Sequence, residues 1–82
     1  MKATVLVRPK AGILDPQGRA VERSLRQLGF PVGEARVGRV IDVEVDAATA
    51  EEARTEVERM CERLLANPLI ESYEIETEAD GA

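Results

Sequence analysis

Few residues in this chain could do chemistry. There is one cysteine, Cys61, and no histidine, so the thiol–imidazole and hydroxyl–imidazole pairs of nucleophilic catalysis are missing. No paired cysteines stand at metal-ligand spacing, and there is neither a phosphate-binding loop nor a nucleophile elbow. Cys61 falls on the apolar side of a helical pattern, where a buried structural thiol is expected. Most glutamates fall on the polar side of the same pattern, where solvation is the default. Two carboxylates stand apart. Asp15 precedes Pro16 and reads first as a helix cap. Glu71 lies between apolar Ile70 and the region of Tyr73, and a cross-strand or interface partner is expected for it. A self-sufficient enzyme is not.

The elements around Asp15 organise the rest. Residues 12–18, Gly-Ile-Leu-Asp-Pro-Gln-Gly, join a β-like run to a helix-like run. The Asp15 carboxylate can accept the orphan N–H groups of a first turn, and proline is pre-set for the first helical position. Gly12 permits a backbone that a Cβ forbids. Gly18 costs about 1 kcal/mol relative to alanine inside a helix, and close approach of another chain or a ligand would account for it.

Residues 2–8 read as a strand, with Ala3, Val5 and Val7 on one face and Leu6 on the other. The helix over residues 19–28 carries Val21, Leu25 and Leu28 on one stripe. Gly29 stops it, and Phe30 is placed to fold back on Leu25. Arg23 and Arg26 read as a solvated face that suits the helix dipole. Residues 34–45 alternate as a second extended region, either a tight hairpin at Gly38 or one long strand bent there, with a slight preference for the bent strand. Thr49 and Glu52 form a capping box, and the helix after it presents Ala53, Val57, Met60, Cys61 and Leu64 inward. Asn67-Pro68 closes that helix. Residues 69–76 form the last strand, with a frayed acidic tail over residues 76–82. The result is a single α+β domain, residues 1–82, with ferredoxin-like β-α-β(β)-α-β order and both helices packed on one face of the sheet. The other sheet face has no helix to cover it, which points to self-association.

Composition narrows the function classes. The 82 residues carry a net charge of -5 with a pI near 4.7, against binding to nucleic acid or anionic membranes. Tyr73 and Phe30 are the only aromatic residues, so there is no stacking platform for bases. The first apolar run is cut short by Arg8, Pro9 and Lys10, too short for a secretory leader, and a lone cysteine fits a reducing cytoplasm.

Three stretches together resemble the PurS family, the small subunit of phosphoribosylformylglycinamidine (FGAM) synthase in purine biosynthesis. They are Lys10-Ala-Gly-Ile-Leu-Asp-Pro-Gln-Gly18 with Ala20-Val21 and Leu28-Gly29-Phe30, then Arg36-Val-Gly-Arg-Val-Ile41, then Leu64-Leu-Ala-Asn-Pro-Leu-Ile-Glu-Ser-Tyr-Glu-Ile75. The resemblance covers nearly the whole chain. It departs from the family in Arg39, where lysine is expected, and in the turn-like Pro31-Val32-Gly33. It implies an accessory subunit without catalytic or metal-binding residues or a cofactor of its own, which assembles a large synthetase subunit with a glutaminase and assists ammonia transfer. ATP and Mg are expected in the large subunit. The chain is expected to be a dimer or tetramer. Candidate interface residues are Gly12, Asp15, Gln17, Gly18, Arg36, Arg39, Asn67, Pro68, Glu71 and Tyr73. A bulky residue at Gly18 is then expected to weaken assembly and leave the isolated fold intact. The alternative is an ACT-like ligand-sensing module, which shares the element order and binds amino acids near the first strand-to-helix loop.

Overall fold

Alternation and capping translate directly into elements in the computed structural model, which describes residues 1–78. They are β1 (Lys2–Pro9), α1 (Pro16–Gln27), β2 (Arg39–Glu44), α2 (Ala50–Met60), a single π-turn (Cys61–Leu65) that prolongs α2, and β3 (Glu71–Thr77). β1 is central and antiparallel to both neighbours, in the order β2-β1-β3. Val5 stands opposite Ile41 on one side and Ile75 on the other. The α+β class and the order of elements are as expected.

The core lies between one sheet face and α2. Ala3, Val5 and Val7 are fully covered, as are Ala53, Val57 and Cys61. Ile41, Val43, Tyr73 and Ile75 flank them, half-buried. α2 starts as a capping box: Thr49 Oγ1 accepts from Glu52 N at 3.1 Å, and Glu52 Oε2 reaches back to Ala48 N at 3.2 Å. The end of the helix departs from the simple 3.6-residue reading. Ala66 N donates to Cys61 O at 3.1 Å, closing a wider i→i+5 turn. That extra residue rotates Leu64 outward, to 82% exposure, and brings Leu65 to the core instead.

α1 is the larger departure. It starts as the sequence predicts, with Asp15 as N-cap and Pro16 at N1. It also ends that way: Gly29, at φ 94°, lets Phe30 N donate to Leu25 O and Gly29 N to Arg26 O, both at 3.0 Å. Yet it makes no substantial contact with any strand or with α2. Only α2 packs on the sheet, so the expected pair of helices on one face is corrected. Val21 and Leu28, on the stripe expected to be buried, are 40% and 74% exposed. The radius of gyration is 15.7 Å, against about 12 Å for a compact chain of this length.

Residues 30–38 carry no regular structure. The choice between hairpin and long bent strand is therefore decided for neither, since β2 begins only at Arg39. Gly38 lies so close to the Val7 carbonyl that a Cβ would overlap it. Leu69 and Ile70 sit in a turn rather than in the last strand. β3 runs on through Thr77, which is buried, into the stretch expected to fray, and Glu78 N donates to Lys2 O at 3.2 Å; residues 79–82 of that tail lie outside the described residues.

The π-turn yields a paired test. Val57→Ala removes two methyl groups from the fully buried seam and should destabilise the chain by roughly 2 kcal/mol. Leu64→Ala, at the neighbouring apolar position now turned outward, should stay within about 0.5 kcal/mol of the parent. Urea unfolding of both variants checks the pair; equal losses would contradict the shifted register.

Candidate partner interface

The candidate residues gather in two clusters. The first lies where α1 leaves the sheet. Asp15 Oδ1 accepts from Gly18 N at 3.1 Å and Oδ2 from Val37 N at 2.9 Å. One carboxylate thus joins the start of α1 to the segment that returns from its far end. Those two backbone donors, foremost the Val37 one, hold the Asp15 carboxyl below its ordinary value, with Arg36 adding a smaller charge effect. Arg36 Nη2 donates to Lys10 O at 2.8 Å. At the other end of α1, Arg26 donates to Val32 O at 3.3 Å and Gly33 O at 2.8 Å. Helix α1 and residues 30–38 therefore form one arm, stitched along its length. Gly12, at φ 83°, shapes the approach to α1, and Gln17 lies exposed on its first turn.

Gly18 occupies the inside of this arm. It is buried, and a Cβ there would overlap the Ala35 carbonyl and crowd the Asp15 carboxylate. The close approach that the glycine serves is to the chain's own backbone, not to a partner or ligand. The expectation that a bulky Gly18 variant would keep its isolated fold is corrected accordingly.

The second cluster lies on the sheet face shared with α2. Arg39 on β2 reaches across β1 to Glu71 on β3 through two hydrogen bonds of 2.7 and 3.0 Å, and donates to Leu65 O at 2.6 Å. Asn67 N donates to Glu71 Oε1 at 2.7 Å. Asn67 Oδ1 accepts from Leu69 N at 3.1 Å, and the Pro68 carbonyl accepts from Lys10 Nζ. The Arg39 guanidinium, then the Asn67 N–H, hold the Glu71 carboxyl below its usual range, while Glu71 raises Arg39. A half-exposed ion pair of this kind contributes about 1 kcal/mol or less. Its effect is positional, fixing where the π-turn meets the edge of the sheet. Tyr73 stands apart, with its hydroxyl donating to Glu62 Oε1 at 2.7 Å. That bond, with burial and nearby negative charge, pushes its phenol up to about 12.

Sequence reasoning missed Lys10, Arg26 and Val37, which hold the first cluster through main-chain groups. A backbone acceptor leaves no signature in residue type, so only the capping pattern at Asp15 pointed that way.

The Cys61 thiol is buried and pushed up, chiefly by desolvation, which disfavours the nucleophilic thiolate. Among the described residues, no group of His, Cys, Asp or Glu side chains could hold a metal ion, and no helix is long and apolar enough to cross a membrane. What the molecule presents instead is contrast of charge. α1 exposes Arg19, Arg23 and Arg26. A groove of about 680 Å³ beside α2 is lined by Asp46, Glu51, Glu52 and Glu56.

Residues 2–79 match the family model PurS, phosphoribosylformylglycinamidine (FGAM) synthase. The chain is 45% identical over 78 residues to the phosphoribosylformylglycinamidine synthase subunit PurS of Methanocaldococcus jannaschii, covering 94% of each. The crystal structure of Methanocaldococcus jannaschii PurS, one of the subunits of formylglycinamide ribonucleotide amidotransferase in the purine biosynthetic pathway, superposes with a TM-score of 0.81 over 92% of both chains, at 45% identity. A chain in the structure of PurLQS from Thermotoga maritima gives a TM-score of 0.84 at 39% identity, covering 92% of this chain and 93% of that one.

Two outcomes follow from the arm. Gly18→Ala, despite a helix-propensity gain of about 1 kcal/mol at an open position, should lower the urea midpoint of the isolated chain; an unchanged or raised midpoint would remove the close approach as the reason for this glycine. Because the Asp15 carboxyl binds protons more weakly when folded than when unfolded, its stabilisation is complete above the ordinary value of 3.8 and is lost as pH falls through the lower folded value. Asp15→Asn should therefore flatten the acid limb of stability below about pH 4, read from urea midpoints across that range.

Proposed function

The chain belongs to the PurS family of phosphoribosylformylglycinamidine synthase subunits, and from that premise we propose that it joins a large synthetase subunit to a glutaminase subunit and assists the passage of ammonia between them. The observation that carries this reading is its superposition, over nine-tenths of its length, on a chain of the Thermotoga maritima PurLQS structure. A chain with no histidine, an inert buried thiol and polar groups spent on holding its own backbone is suited to assembly, and supplies no catalytic residue. ATP and Mg belong to the large subunit in this reading, and the site of action is the cytoplasm. The exposed apolar stripe of α1 supports self-association.

The test is reconstitution of the synthetase and glutaminase subunits with and without this chain. Glutamine-driven amidine formation should require it, while ammonia-driven formation should not. A chain that changes neither reaction, under conditions where the partner subunits are active, would overturn the proposal.

A further inference from the structure

Among the described residues, β3 has a strand on one side only, and a strand edge of this kind is a template on which another chain can grow. The ladder fixes which of its groups are free. Lys10 N donates to Ile70 O at 2.9 Å and Glu78 N to Lys2 O at 3.2 Å, at the two ends of the register that sets Val5 opposite Ile75. Antiparallel pairs alternate between bonded and unbonded. Arg8 with Ser72, Leu6 with Glu74 and Thr4 with Glu76 are therefore the bonded pairs. Tyr73, Ile75 and Thr77 turn their N–H and C=O groups away from β1, to the open side.

Arg54 occupies the middle of that side. It follows Ala53, which α2 buries against the sheet, and its half-buried guanidinium donates from Nη1 to Ile75 O at 2.9 Å. We infer that Arg54 holds the β3 edge shut against strand addition by a second copy of this chain. An incoming strand would need the Ile75 carbonyl for its own N–H. It would have to strip a permanently charged group of that acceptor while burying it, which is costly. A sheet that accepts a strand at both edges propagates without closing, whereas one that accepts at a single edge ends at a finite assembly. The inference concerns a contact that the chain avoids, and it stands or falls independently of the subunit reading.

The experiment uses the full chain alone under native conditions. Arg54→Leu, and Arg54→Ala with the best helix former at that position, should keep the circular dichroism of the parent. Their weight-average mass in sedimentation should rise with concentration to about twice that of the parent or more, as added copies require. Arg54→Lys, which keeps a charged donor, should stay at the mass of the parent. Pyrene on Glu76→Cys, exposed on β3, reports where copies meet; Cys61 is fully buried and stays unlabelled. Its excimer emission should rise with mass in the Arg54→Leu background and stay level with Arg54 in place. Folded Leu and Ala variants that remain at the mass of the parent, equal growth of Arg54→Lys, or growth without added excimer emission would each overturn the closure. Loss of the fold in both variants would overturn it too, since Arg54 would then be a support of the core and not a cover of the edge.

Discussion

An α-helix is about 10 Å across, and three strands spaced about 4.8 Å apart make a face wider than that. Here a single helix, α2, has to serve the whole face. It settles over β3 and β1, where Val57 and Cys61 meet Val5 and Val7 without exposure. The remaining flank, β2, is left with apolar residues that are only half covered. Most other features of the molecule follow from that shortfall. The ion pair between Arg39 and Glu71 spans the sheet where α2 ends, and the π-turn carries Leu65 under the helix end at the cost of turning Leu64 out.

The arm is built on a different principle from the core. With no sheet beneath it, α1 is held to residues 30–38 by polar contacts, almost all to main-chain atoms. The Asp15 carboxylate grips one end, the Arg26 guanidinium the other, and a glycine lets the two segments touch between them. Such an arm keeps its own geometry without burying its apolar stripe, which remains available to something outside the chain. In a net acidic protein, a projecting helix that carries three arginines against one glutamate also gives that surface a preferred kind of counterpart.

This construction also accounts for the polar groups that stand out in the sequence. Asp15, Arg36, Arg39 and Glu71 are each occupied in joining one part of the backbone to another. The perturbed ionisation of Asp15, Arg39 and Glu71 reflects such bonds.

What the sequence by itself determined were the features that act over a few residues. The Asp15-Pro16 start, the Gly29-Phe30 stop, the Thr49–Glu52 box and the alternation of β1 all depend on groups within a turn or two of one another, so residue type and spacing suffice. The three separated family stretches were legible for the same reason, as local patterns in order. Tertiary structure alone decided where α1 lies, because an apolar stripe states that a face is to be covered and not by which surface. It alone decided what Gly18 approaches and how residues 30–38 run, since both depend on main-chain groups far apart in sequence that carry no mark in residue type. The position of Leu64 followed from a one-residue widening of the helix, which a fixed 3.6-residue period cannot register.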